Sequence, residues 1–209
     1  KTVLIDEYHN RLGKIKFIAS DKSHLAFADA FGSVMIVNLE TQQLKQFSDK
    51  PHRFSTTQII KDGQHYISAG LDGVIRYWDE ALVLTKQLYG HKGGILKLLI
   101  KDNMLISLSE DNSIRIWDKD SGDYLRRFLG HDEYVLDGFV IDNILVSVDA
   151  NGNIFAWHLE ENVMIAKLAK INKEVEAILP VFENQYVLVK TKNKWYLEDL
   201  LPRASLGAN

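Results

Sequence analysis

The chain has 209 residues, 46% apolar and 25% charged, with 25 Lys and Arg against 28 Asp and Glu. This is the profile of a folded globular protein, and the near-balanced charge argues against a general nucleic-acid binder, which needs a basic face. The absence of cysteine excludes disulfides, thiolate metal sites and Cys nucleophiles.

No apolar run approaches the length of a membrane span, and no charged–apolar–small leader opens the chain. The expected setting is intracellular, cytoplasmic or nuclear, with neither a membrane nor nucleic acid in general as partner. The first residue, Lys1, is not Met, so the chain is expected to be an excised piece of something longer.

Taken in order, the elements repeat with a period near 40 residues. Arg11–Asn38 forms a first, degenerate copy, with turns at Asp21-Lys22 and Phe31-Gly32. The second copy turns at Asp62-Gly63 and Asp72-Gly73, before the runs Val74–Trp78 and Val83–Leu88. In the third, Asp102-Asn103 separates Gly94–Ile100 from Met104–Leu108, and Asp111-Asn112 leads into Ile114–Trp117 and Tyr124–Leu129. The fourth turns at Asp142-Asn143 and Asn151-Gly152, then runs through Ile154–Trp157 and Val163–Leu168. A degenerate fifth copy, Lys170–Glu198, turns at Glu183-Asn184 and Thr191-Lys192. Short apolar runs separated by such turns are β-hairpins. Four strands per period describe one blade of a propeller.

The expected fold is therefore all-β, a β-propeller of about five four-stranded antiparallel blades. It occupies 1–201, with repeats at about 11–50, 51–89, 90–129, 130–169 and 170–201, followed by a tail at 202–209. The tail holds Arg203-Ala204-Ser205, a weak basic phosphorylation-like triplet.

Polar residues repeat with the strands. After His91 and His131, a Ser follows at 16 residues, Asp or Asn at 20 and Trp at 26, and the same offsets apply from His52. The quartets are His52, Ser68, Asp72 and Trp78; His91, Ser107, Asp111 and Trp117; and His131, Ser147, Asn151 and Trp157. Ile75-Arg76-Tyr77-Trp78-Asp79 and Ile114-Arg115-Ile116-Trp117-Asp118 close two of them. With the Gly-His and Asp-Gly signals, these segments resemble the WD-repeat β-propeller family. The third, Ile154-Phe155-Ala156-Trp157-His158, departs by losing the basic residue and the final Asp.

The resemblance implies that each quartet is a structural tetrad, a hydrogen-bond relay inside its blade. Donor and acceptor capacities fit: Trp only donates, Ser and His do both, Asp only accepts. A catalytic His-Ser-Asp reading fits poorly, because a catalytic site is built once and this constellation occurs three times. No catalytic residue, metal site or cofactor is expected. Asn151 in place of Asp forfeits a charge-assisted bond, so its blade is expected to be the loosest of the three.

The repeats differ at Gln58, Lys97 and Asp137, six residues after each His, on the innermost strand. These channel candidates are either a polar lining or a channel-mouth contact. The resemblance places Arg53, Phe54, Leu71, Lys92, Glu110, Asp132, Glu133 and Tyr134 on one loop-bearing end, as partner-binding candidates. Phe54 and Tyr134 are the expected anchors, since aromatics dominate interface hot spots. The expected function is a non-catalytic protein–protein interaction scaffold presenting loop surfaces within an assembly. Alternatives are a regulatory or sensing segment of a larger multidomain protein, and a propeller enzyme at the channel mouth with Asp137 as its one entry. The ring is expected to be incomplete, its edges covered by further blades or a partner strand. Pairing of Thr2–Glu7 with Lys194–Glu198 would instead close it.

Overall fold

The computed structural model describes residues 15–20, 24–41, 44–46, 52–81, 83–171, 174–181 and 186–199. These residues form nineteen β-strands in five antiparallel sheets, and no helix among them is long and apolar enough to cross a membrane. The first sheet runs β1 (Ile15–Ser20), β2 (His24–Asp29), β3 (Val34–Asn38), β4 (Leu44–Gln46). The second runs β5 (Thr56–Asp62), β6 (His65–Gly70), β7 (Ile75–Trp78), β8 (Leu84–Leu88). The third comprises β9 (Ile95–Lys101), β10 (Met104–Ser109), β11 (Ser113–Asp118) and β12 (Tyr124–Leu129). The fourth comprises β13 (Val135–Ile141), β14 (Ile144–Asp149), β15 (Asn153–His158) and β16 (Val163–Lys170). Three strands are described in the fifth: β17 (Val175–Val181), β18 (Tyr186–Thr191) and β19 (Trp195–Asp199). Strands follow chain order within every sheet, the up-and-down pattern of a propeller blade.

Two compact units divide the chain at 98/99, within β9. In the first, Ala26, Ala28, Val34 and Ile36 pack with Ile59, Tyr66 and Trp78, joining the first two sheets. In the second, one cluster unites β10, β11 and β12 with the fourth sheet around Ile106, Phe128, Leu145 and Trp157. Another joins Phe139, Val146 and Ile154 to Ile178, Val187 and Val189 of the fifth sheet.

The repeated turns have repeated physical causes. Gly63, Asp102 and Asp142 carry positive φ in the first hairpin of their repeats, and Gly73, Asn112 and Gly152 do so in the second. Gly, Asn and Asp are the residues that tolerate this left-handed conformation. The residue after Trp has its own task. Asp79 Oδ1 accepts the Val83 amide at 2.8 Å, and Asp118 Oδ1 accepts the Ser121 amide at 2.7 Å, folding the chain toward the fourth strand. Asn38 performs this Asx turn in the first sheet, and in the fourth His158 Nδ1 accepts the Glu161 amide at 3.2 Å.

Thr2–Glu7, Asp21-Lys22, Glu183-Asn184 and the 202–209 tail lie outside the described residues.

Candidate functional site

The second sheet builds its quartet from four places: the loop before β5, the body of β6, the β6–β7 turn and the end of β7. His52 Nε2 lies 2.8 Å from Ser68 Oγ and Nδ1 lies 2.9 Å from Asp72 Oδ1. Trp78 Nε1 donates to Ser68 Oγ at 3.0 Å. A neutral ring protonated on Nδ1, the charge state that burial favours, gives one direction of proton donation: Trp N–H to Ser oxygen, Ser O–H to His Nε2, and His Nδ1–H to the carboxylate. Arg76 Nη1 also approaches Nδ1, at 2.7 Å, but a guanidinium only donates, and its hydrogen bond goes to Asp72 Oδ2 at 2.9 Å. The Arg53 amide donates to the same oxygen at 2.9 Å. Gly70 leaves room for this arrangement, because a Cβ there would stand 2.6 Å from His52 Cγ.

In the fourth sheet the relay is rebuilt with a different acid. His131 Nε2 lies 2.7 Å from Ser147 Oγ, and Trp157 Nε1 donates to that hydroxyl at 2.8 Å. The partner of His131 Nδ1 is Asp149 Oδ2, at 3.0 Å. Asn151, expected there from the offset of 20, is corrected: it is exposed on the turn, and its backbone amide donates to Asp149 Oδ1 at 3.0 Å. The acid has moved two residues back, onto the end of β14, where the other repeats carry Gly70 and Ser109. Phe155 fills the position of Arg76 and packs edge-on to the His131 ring, centroids 4.6 Å apart. The Asn153 side-chain amide takes over from the lost guanidinium, donating to Asp149 at 2.9 and 3.1 Å. The charge-assisted acceptor that Asn151 forfeits is therefore present one strand-step away.

Of the third set of repeated residues, His91 belongs to the first unit and Ser107, Asp111 and Trp117 to the second. Trp117 Nε1 donates to Ser107 Oγ at 2.9 Å. Asp111 Oδ1 accepts from the amide and hydroxyl of Ser113, at 3.1 and 2.6 Å. Arg115 stacks over Tyr124, 5.4 Å from its ring centroid.

Burial pushes the His52 and His131 pKa values down from 6.5, outweighing the opposing pull of Asp72 and Asp149 respectively. Burial also pushes the Asp72 carboxyl up, but His52, the Arg53 amide and Arg76 outweigh it and hold it well below the usual carboxylate range. Below pH 6.5 the unfolded chain protonates both histidines while the folded chain resists. The depressed pKa values therefore stabilise the fold above 6.5, and this contribution is lost as the pH falls through the window below it. Asp72 adds a further loss only below its ordinary value of 3.8. A urea midpoint lower at pH 5.5 than at pH 7.5 is expected, and a His131→Gln variant should show a flatter pH dependence; an unchanged midpoint contradicts neutral burial.

Two of the channel candidates, Gln58 and Asp137, make specific contacts with the adjoining sheet. Gln58 grips Leu98 of β9 twice: Oε1 accepts its amide at 2.6 Å, and Nε2 donates to its carbonyl at 3.2 Å. Asp137 Oδ2 accepts the amide of Ile178 in β17 at 3.0 Å. Both residues follow a β-bulge, between Thr56 and Gln58 and between Val135 and Asp137. The bulge inserts a residue and re-aims the strand at this point. Lys97 is half-buried on β9.

Of the partner-binding candidates, Arg53, Phe54, Leu71, Lys92, Asp132 and Tyr134 are exposed, whereas Glu110 and Glu133 are half-buried. In the first unit, the Leu71 amide donates to Ser55 O at 2.9 Å, bringing the Phe54 loop and the β6–β7 turn together. In the second, the Ala150 amide donates to Tyr134 O at 2.9 Å, and Asn112 Nδ2 donates to Asp132 O at 3.0 Å. Sequence reasoning missed Asp149 and the exposed Phe31. A carboxylate closing an otherwise apolar strand signals the first, because a buried charge needs partners. The second sits before Gly32, a turn glycine in a repeat without diagnostic residues.

Against known proteins, the family described as WD domain, G-beta repeat matches residues 82–118. The chain is 27% identical over 122 residues to the tRNA (guanine-N(7)-)-methyltransferase non-catalytic subunit TRM82 of Saccharomyces cerevisiae, covering 53% of this chain and 28% of that protein. The ribosome biogenesis protein YTM1 of the same species is 30% identical over 86 residues, 41% of this chain and 18% of that one. The chain thus spans less than a third of the length of these curated relatives. Among solved structures, the computationally designed Ika8 protein matches with a TM-score of 0.77 at 23% identity, over 88% of this chain and 58% of its own. The designed Ika4 protein matches with a TM-score of 0.65 at 26% identity, over 70% of this chain and 92% of its own.

Blade-type sheets in chain order, with these structural matches, define an all-β protein of the β-propeller class. Residues 82–118 are a WD repeat, and the curated relatives the chain resembles are WD-repeat proteins.

Proposed function

We propose that the chain is a non-catalytic interaction scaffold, presenting loop surfaces of its blades to partner proteins within an assembly. The observation that carries this reading is the placement of its repeated polar groups. The Ser68, Ser107 and Ser147 residues are 0% exposed, so no substrate reaches their hydroxyls. Each of these oxygens accepts a bond from a Trp. On this reading the quartets are staples that hold strands in place, and recognition falls to the exposed loops. TRM82, described as a non-catalytic subunit, supports a role within an assembly. We infer an intracellular setting, cytoplasmic or nuclear, in keeping with the tRNA and ribosome biogenesis roles of the relatives' names.

The test is co-purification with the full chain, carrying Phe54→Ala and Tyr134→Ala together. Both residues are about half exposed, at 53% and 48%, so the unfolding transition should stay nearly unchanged while at least one partner is lost. An unchanged partner set contradicts the assignment to these loops. Turnover abolished by Ser107→Ala with the fold intact contradicts the non-catalytic reading.

A further inference from the structure

We propose that the loop-bearing end of the first unit docks an acidic peptide segment of a partner protein: an apolar side chain seated among Phe31, Phe54 and Leu71, and a neighbouring carboxylate held by Arg53 and Lys92. This rests on the scaffold reading and names the partner's chemistry at one of its surfaces. The three apolar residues are 60%, 53% and 37% exposed, which is uncommon for large side chains on three adjoining turns.

The backbone shows that they adjoin. His52 N donates to Gly32 O at 3.4 Å, and a Cβ on Gly32 would stand 2.5 Å from Phe54 O, so the Phe31 turn rests on the Phe54 loop. On the other side, the Leu71 amide is bonded to Ser55 O at 2.9 Å. The β6–β7 turn continues against the Lys92 loop, where a Cβ on Gly73 would stand 2.9 Å from Gly93 O. The surface is held in place, since the Arg53 amide is fixed by Asp72 at 2.9 Å. A surface ordered beforehand loses less entropy on binding.

The charge on these turns selects the occupant. Segments 30–33, 52–55, 70–73 and 91–94 contain one carboxylate, Asp72. Its side chain is only 6% exposed and is already bonded to His52 and Arg76. The exposed charges are the Arg53 guanidinium, which lies 5.5 Å from the Phe54 ring centroid, and Lys92. An aromatic floor with an arginine over it suits an apolar side chain next to a carboxylate. Two cations on a chain of net charge −3 do not make the extended basic track that a nucleic-acid backbone requires.

The test pans a displayed library of random peptides against the full chain and against an R53E/K92E variant. Wild type should enrich an aromatic residue or Leu flanked by Asp or Glu, and the variant should enrich Lys or Arg at those flanks. Phe54→Ala and, separately, Lys92→Glu should weaken the wild-type peptides, by at least about tenfold for Phe54→Ala, with unchanged unfolding midpoints. No enrichment, enrichment without acidic flanks, or unchanged affinity in both variants overturns the proposal. Binding of oligouridylate that Phe54→Ala abolishes also overturns it, in favour of RNA. Partners lost on Tyr134→Ala but kept on Phe54→Ala overturn this docking surface while the scaffold reading stands.

Discussion

Trp157→Ala is expected to lower the unfolding free energy by about 3–5 kcal/mol, the range for a large aromatic removed from a packed core. Trp157 is 1% exposed, and its ring lies 5.2 Å from Phe128 and 5.7 Å from Phe155 between centroids. Its loss opens a cavity among strands of the third and fourth sheets and removes the donor to Ser147 Oγ. Trp157→Phe separates the two contributions. It keeps much of the ring and loses the N–H, so it should recover most of the stability, with a residual deficit of about 0.5–1.5 kcal/mol for the hydrogen bond and its partner. Urea denaturation of both variants measures the difference. A Trp157→Ala cost below about 1 kcal/mol contradicts the described packing.

Asp149→Ala is expected to be strongly destabilising, at about 1–3 kcal/mol for each buried donor left without its acceptor. Its carboxylate is 0% exposed and accepts from the His131 ring, the Asn151 and Asn153 amides and the Asn153 side chain. Removing it strands several donors together, each costly to leave unpaired in the interior. Asn151→Ala should stay within about 0.5 kcal/mol, as usual for exposed positions away from caps and cores. The pair of denaturation curves discriminates sharply. A larger loss from Asn151→Ala returns the acceptor role to the turn.

The sequence reveals the blades because hairpin turns and strand runs recur at one spacing, and such turns need Gly, Asn or Asp for local steric reasons. Three of the members of the fourth-sheet quartet could be found by counting, but Asp149 could not. Its offset is 18 where the other repeats have the acid at 20, and Asn151-Gly152 imitates the expected turn. Only side-chain geometry shows that a β14 residue reaches the ring. The exchange of Arg for Phe155 is the other half of that change: without a guanidinium, the carboxylate moves inward to the Asn153 amide. Gln58 and Asp137 stand out in the sequence as departures from the repeat, but spacing along one chain does not say which backbone a side chain grips. That information lies in the bulges and in the adjoining strand, which only the folded chain supplies.

The His52 and His131 relays both run one way, from Trp through Ser and a neutral His to a carboxylate. Imidazole nitrogen NMR of His52 and His131 tests this most directly, because it reports which ring nitrogen holds the proton. Both rings should show the neutral Nδ1–H form at pH 7 and keep it as the pH is lowered through 6.5, while the unfolded chain titrates there. An Nε2–H tautomer, or protonation of either ring at its ordinary pH, contradicts the relay.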